Sequence, residues 1–206
     1  LTDTRYDQVM IGNGVSELVD LVLRSLLEPG EEVLIPAPDY PLWTAAVVLN
    51  GGRPRHYPCS AEHGFLPDIE AIRAMINDKT RALVVINPNN PTGAVYPESV
   101  LRELAQLAAE HDLVIFSDEI YDSICYDEAR FVPMAPLADQ TLCVSFGGLS
   151  KVYRACGWRV GWAVFTGALD RAADYRLAIE KLAALRLSAN VPGQWAVQTA
   201  LGGYQS

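Results

Sequence analysis

The sequence is poor in the side chains that build metal and disulfide sites. Its 206 residues include only four cysteines and three histidines. Cys59, Cys125, Cys143 and Cys156 form no C-x-x-C pair, and none stands at zinc spacing from His56, His63 or His111. No metal site is expected, and the thiols read as small buried hydrophobes of a reducing cytoplasm. Long apolar runs are missing too. No stretch reaches the ~18 uninterrupted apolar residues of a membrane-spanning helix, and no secretory signal pattern opens the sequence. Positive charge is in deficit: 16 Lys and Arg against 25 Asp and Glu leave a net −9. That balance argues against nucleic acid or an anionic membrane as the main partner, while leaving room for a local cationic pocket. Glycine and proline, 15 and 13, are too few and too aperiodic for a fibrous or low-complexity chain. The opening Leu1-Thr2-Asp3-Thr4-Arg5 has no initiator Met, so the sequence is expected to be part of a longer protein.

What is present is a chain half of whose residues are apolar, enough to build a core, in which helical and strand periods alternate. Val15, Leu18, Val19, Val22, Leu23, Leu26 and Leu27 carry helical spacing that closes at Pro29-Gly30. Further helices are predicted from Asp39 or Pro41 to Leu49, over Asp68–Asn77, Pro97–Glu110, Leu169–Leu185 and Pro192–Leu201. Strands are predicted over Glu32–Ile35, Arg55–Pro58, Ala82–Ile86, Leu113–Phe116, Leu142–Phe146 and Val160–Phe165, with Val9-Met10-Ile11 a weaker case. Apolar strands separated by helices imply one α/β domain, a mostly parallel central sheet with helices on both faces. In such sheets ligands sit at the carboxyl ends of the strands, so the loops there are where chemistry is to be sought.

Four loops stand out. Gly12-Asn13-Gly14-Val15-Ser16-Glu17 opens a helix, and reads either as an ordinary turn and cap or as an anion site built on free N–H groups and a helix dipole. Asn87-Pro88-Asn89-Asn90-Pro91-Thr92-Gly93 follows a strand, with two Asn-Pro steps that stiffen it. Ser117-Asp118-Glu119-Ile120-Tyr121 puts an acid at the end of an apolar strand, poorly placed unless a cation meets it. If a helix starts there, Tyr121 lies one turn on. Ser150-Lys151, with Arg159 eight residues later, offers a lysine of the kind used in covalent catalysis. An acid, a lysine, an arginine, a tyrosine, an asparagine and a helix start together fit one aromatic cofactor with an aldehyde, a ring nitrogen, a ring hydroxyl and a phosphate: pyridoxal 5′-phosphate (PLP).

At this point the runs IGNGVSEL, PAPDYPLWTAAV (Pro36–Val47), INPNNPTGAVY (Ile86–Tyr96), DEIYD (Asp118–Asp122), GLSKVYR (Gly148–Arg154) and the closing RLSANVP…ALGGYQ resemble the fold-type I, class I/II PLP-dependent aminotransferases. In wording they are closest to the bacterial glutamate–pyruvate (alanine) transaminases. The resemblance covers essentially the whole chain and implies the family's large, PLP-binding domain for residues 1–206. The family's N-terminal segment, the tyrosine lent by a neighbouring subunit, and the small domain with its carboxylate-clamping arginine are expected outside these residues. It further implies roles. Lys151 anchors PLP covalently and moves the substrate proton, Asp118 pairs with the ring nitrogen, and Tyr121 and Asn90 donate to the ring hydroxyl oxygen. Asn90 also reaches the substrate carboxylate. Arg159 and Ser150, with Gly14, Val15 and Ser16 at the helix start, bind the phosphate, and Tyr40 stacks on the ring. Gly148 departs from the family's usual Asn or Ser, so fewer phosphate contacts are expected there.

The implied activity is ping-pong transfer of an amino group between an L-amino acid, alanine first, and a 2-oxo acid, by a cytoplasmic homodimer. The run from Ala189 to Ala200 would suit its contact surface. Alternatives are an aromatic or histidinol-phosphate aminotransferase, a C–S lyase, or a non-catalytic PLP-sensing regulator domain. Among neighbouring residues, Trp43 reads as a core aromatic, Arg154 as an undecided or solvated helix charge beside an undecided Tyr153, and Glu119 as a residue of little consequence.

Overall fold

In the computed structural model, which describes residues 4–203, the alternating periods become a seven-stranded sheet of order β1-β7-β6-β5-β4-β2-β3. Its strands are β1 (Val9–Gly12), β2 (Glu32–Ala37), β3 (Arg53–Pro58), β4 (Thr80–Ile86), β5 (Val114–Asp118), β6 (Leu142–Gly148) and β7 (Gly161–Gly167). Helices α1 (Val15–Leu26), α2 (Pro41–Leu49), α3 (Ile69–Met75), α4 (Glu98–Glu110), α5 (Ala173–Ala184) and α6 (Val191–Gly202) complete it. Tyr204 and Gln205, at the end of the last family-like run, lie outside the described residues.

The pairings β2–β3, β2–β4, β4–β5 and β5–β6 are parallel, whereas β7 runs antiparallel to both β1 and β6. The mostly parallel architecture expected from the sequence is therefore observed. β7 is the exception for a physical reason. A parallel neighbour needs a crossover that carries the chain back along the sheet, and the loop of residues 149–160 between β6 and β7 holds only turns, at Lys151–Arg154 and Cys156–Trp158, and no crossover helix.

Strand alternation sorts the core into two layers. Ala82, Val84 and Ile86 of β4, Phe116 of β5, and Leu142, Val144 and Phe146 of β6 face α1, α2 and α5. Leu83, Val85, Ile115 and Cys143 face the other way, toward α3 and α4. Parity then fixes the end of β5: Asp118 continues the Phe116 face, and Ser117 lies opposite. Most strand and helix ends lie one or two residues from expectation, and two departures are larger. The helix predicted over Leu169–Leu185 is a tight turn over Leu169–Ala172 followed by α5, because Ala172 leaves helical geometry at ψ 15°. No helix starts after Asp118; residues 120–123 form a turn. No helix among the described residues is long and apolar enough to cross a membrane.

The first layer closes around three rings. Trp43 stacks on Phe116 at 5.8 Å between centroids and meets Phe146 edge-on at 5.6 Å. Phe146→Ala is expected to cost ~3–5 kcal/mol, the usual cost of emptying a buried aromatic site, read by urea denaturation. A loss below ~1 kcal/mol would mean that this layer collapses around the void and does not hold the fold.

Candidate active site

Every parallel strand of the sheet points its carboxyl end to the same edge, and the loops that leave there converge on one cleft. It is lined by Val15 and Ser16 from the start of α1, Tyr40 after β2, Asn90 after β4, Asp118 and Tyr121 at the end of β5, and Ser150, Lys151 and Arg159 from the β6–β7 loop. Residues spread over 145 positions of sequence thus share one cavity, because β1, β2, β4, β5 and β6 all end at it. Gly14 stands immediately behind this lining.

Asp118 occupies the floor and is 4% exposed. Trp43 Nε1 donates to its Oδ2 at 3.0 Å, and Ile120 N lies 3.4 Å from Oδ1. Burial pushes the carboxyl above the usual carboxylate range. The Trp43 hydrogen bond, the Ile120 N–H and the charge of Lys151 pull the other way. The acid therefore sits where a cation within the cleft would be strongly held. Lys151 Nζ lies 5.9 Å from the centre of the Tyr121 ring, and Asn90 Nδ2 donates to Tyr121 Oη at 3.1 Å.

At the other end of the cleft α1 begins. Gly14 caps it at φ 85°, and no side chain caps the helix, so the first-turn N–H groups are free for an anion. A Cβ on Gly14 would lie 2.2 Å from Arg159 Nη2, and one on Gly161 would lie 2.6 Å from Val15 N. Gly161 is required by close approach of backbone, and Gly14 by its positive φ. Arg159 itself has left-handed backbone, φ 52°, strain of the kind that clusters at ligand sites. It donates to Cys156 O at 2.9 Å and to Asn13 O at 3.4 Å.

Some neighbours depart from the sequence reading. Trp43 is a core aromatic and also a partner of Asp118. Two requirements could have been matched in advance, since a buried indole N–H needs an acceptor and a buried acid needs a donor. Arg154 is exposed, but at φ 54° in a turn rather than on a helix. Cys59 and Cys143 are buried as expected, whereas Cys156 is exposed on the cleft wall and Cys125 is half-buried. Gly148 has a packing reason, since a Cβ there would meet Val160 O at 2.8 Å.

Glu119 is the larger correction. On the face opposite Asp118, its Oε1 accepts from Ser117 Oγ at 2.9 Å, Met134 N at 3.0 Å and Ser145 Oγ at 3.4 Å. It joins β5, β6 and the chain returning at Met134, so Glu119→Ala would leave buried donors without an acceptor.

Burial raises the Glu119 carboxyl from 4.5 to about 7, against the three donors. A raised folded value means that its stabilising contribution is full below about pH 4.5 and is lost as pH rises through about 7. Glu119→Gln, which keeps an acceptor, is expected to remove up to ~3 kcal/mol of pH-dependent stability over that window. Urea denaturation at about pH 5 and about pH 8 measures it. An unchanged difference between the two would refute the assignment.

Comparison with known proteins places this geometry. The sequence profile of the family described as Aminotransferase class I and II matches residues 1–206. The chain is 52% identical over 206 residues to the glutamate-pyruvate aminotransferase AlaA of Escherichia coli K12, covering all of this chain and 51% of that protein. It is 51% identical over 200 residues to the alanine aminotransferase of Mycobacterium tuberculosis H37Rv, covering 97% of this chain and 47% of that one. Among solved structures, an alanine aminotransferase from Pyrococcus furiosus superposes with a TM-score of 0.93 at 40% identity, over 96% of this chain and 50% of its own. The chain spans about half the length of the curated relatives it matches.

Proposed function

We propose, from the premise that this chain belongs to the class I and II aminotransferase family, that residues 1–206 form the PLP-binding large domain of an alanine transaminase. Its substrates are L-alanine and a 2-oxo acid, 2-oxoglutarate first. The observation that carries the reading is Asp118. It is a buried carboxylate whose two hydrogen-bond donors, Trp43 Nε1 and Ile120 N, are neutral, in a cleft that also holds Lys151 and Arg159. A protonated ring nitrogen would supply the missing positive charge. At the far end, the free helix start and Arg159 fit a phosphate, and Gly14, at φ 85°, carries no side chain that would crowd Arg159 there. The residues present therefore fit the cofactor.

When bound, PLP supplies an aldehyde that exchanges amines and a ring that draws electrons from the substrate Cα. This chain's residues do the rest. Lys151 would provide the amine that anchors the group and a base for the proton at the substrate Cα. Asp118 keeps the ring nitrogen protonated by charge pairing in a dry site. Tyr121 would donate to the ring hydroxyl oxygen, and Asn90 Nδ2, which has one N–H on Tyr121 Oη, would turn its second to the same oxygen or to the substrate carboxylate. Ser16, Ser150 and Arg159, with the N–H groups after Gly14, hold the phosphate. Tyr40 covers one ring face and excludes water from it.

The names of the relatives support alanine over the aromatic, histidinol-phosphate and C–S lyase readings. We place the enzyme in the cytoplasm as a homodimer. Val191, Trp195 and Leu201 of α6 are 51%, 79% and 58% exposed, an apolar face that a second copy would cover.

In the full-length protein, L-alanine and 2-oxoglutarate are expected to give pyruvate and L-glutamate. Conversion of an aromatic amino acid in place of alanine would overturn the substrate assignment. Asp118→Asn keeps size and hydrogen bonding but removes the charge. Borohydride should still trap the cofactor on Lys151, while amino-group transfer slows by several orders of magnitude, each tenfold being ~1.4 kcal/mol of barrier. Near-normal single-turnover transfer with bound PLP would exclude Asp118 from this role.

A further inference from the structure

The loop ahead of α1 is held by a network that lies outside the cleft lining. Asn13, immediately before Gly14, has all four of its polar groups engaged. Its backbone N–H and its Nδ2 donate to Glu17 at 2.7 and 3.1 Å. Its Oδ1 accepts from Asn190 N at 2.8 Å, and its carbonyl accepts from Arg159 Nη2 at 3.4 Å. Behind Glu17 stands Arg186. Its Nε lies 2.7 Å from Glu17 Oε1, close enough for an ion pair but not aligned as a hydrogen bond, and its Nη2 donates to Ile11 O at 2.9 Å. Both side chains are largely covered, 21% and 23% exposed. Between the two anchors Arg186 and Asn190, exposed Leu187 is held at φ 69°, a strained conformation that persists only where its surroundings impose it.

The position of Glu17 poses an electrostatic problem. It lies in the first turn of α1, where the free N–H groups and the positive dipole end attract anions. A carboxylate there competes with a phosphate for that field and repels it across a partly covered site. Yet Glu17 is what fixes the backbone and side chain of Asn13, and Asn13 in turn carries Gly14 and a contact to Arg159.

We propose that Arg186 is a positioning residue for the anion cup: by neutralising Glu17 it lets that carboxylate organise Asn13 without repelling the phosphate received by Gly14, Val15, Ser16 and Arg159. The sequence places Arg186 far from the cup. The turn after α5 brings it there, and the same turn leads into α6.

The proposal rests on the PLP reading, and the test separates the two. Dissociation constants of the full-length apoprotein are measured for PLP and for pyridoxal, which lacks the phosphate, by absorbance titration, with thermal unfolding as a check on folding. The wild type is expected to prefer PLP. Arg186→Met should reduce that preference about tenfold, by weakening PLP while leaving pyridoxal within about twofold. Glu17→Gln added to Arg186→Met should restore part of the preference, because the bare carboxylate is gone although one of the two acceptors for Asn13 goes with it, and Arg186→Lys should retain most of it. Added salt should shrink the Arg186→Met defect, since screening weakens the repulsion. Equal losses for PLP and pyridoxal, or no restoration in the double variant, would show a merely structural role and overturn the proposal. An unchanged preference in Arg186→Met would overturn it alone. A wild type that binds both aldehydes equally would have no phosphate cup, and the cofactor reading would fall with it. Should Arg186→Met unfold, Arg186→Lys and Glu17→Gln measured against wild type decide: a collapsed preference in either refutes charge compensation.

Discussion

A carboxylate buried at the end of a strand is stable only if something meets it, and much of this molecule is arranged around meeting Asp118. β5 delivers it to the carboxyl edge with Phe116 below it on the same face. α2 brings Trp43 across to donate a hydrogen bond to Oδ2. That indole N–H donates whatever the protonation state of its surroundings, so Oδ2 is committed as an acceptor. Oδ1 has only a long contact from Ile120 N. The Trp43–Phe116–Phe146 cluster that fixes the indole is also a centre of the first core layer. Core packing and the electrostatics of the cleft are therefore one construction, and a cavity opened beneath Trp43 would be felt at the acid.

The opposite end of the cleft obeys a different constraint, backbone geometry that only glycine meets: a positive φ at Gly14 and close backbone approach at Gly161 and Gly148. Gly14, Gly161 and Gly148 stand where a Cβ would meet Arg159, the backbone of Val15 and the carbonyl of Val160. These approaches let β7 lie beside β1 and α1, and bring Arg159 from the β6–β7 loop onto the first turn of a helix that begins 144 residues earlier. The antiparallel course of β7 follows from the same economy of chain: a loop without a crossover helix returns directly. Charge is balanced locally at this end. Glu17 is met by Arg186, and Asn13 distributes the result to the glycine and the arginine. One end of the cleft thus has a buried acid awaiting a cation, and the other has cations and free N–H groups awaiting an anion. A ligand with a protonated nitrogen at one end and a phosphate at the other matches both.

Much of this was legible in the sequence, because it depends on local rules. Strand and helix periods located the elements, Pro and Gly marked the turns, and the loops after apolar strands named Asn90, Asp118, Tyr121, Ser150 and Lys151. All of them line the cleft. What escaped was of one kind: partners of those residues across the fold. Trp43 was assigned to the core alone, since a buried indole N–H calls for an acceptor but its helix does not say which strand supplies it. Glu119 looked dispensable because its three donors come from β5, β6 and Met134.

The sequence by itself determined the α/β class, the order of the elements and the chemistry available at each strand end. These follow from hydrophobic period, backbone stiffness and side-chain type, all properties of short stretches of chain. Only the tertiary structure decided that β7 reverses, that Trp43 supports Asp118, that Glu119 ties β5 to β6 and that Arg186 neutralises Glu17. Each of those depends on distances between residues far apart in the chain. Such distances are set by how the two layers pack on the twisted sheet, and packing is a property of all the elements at once.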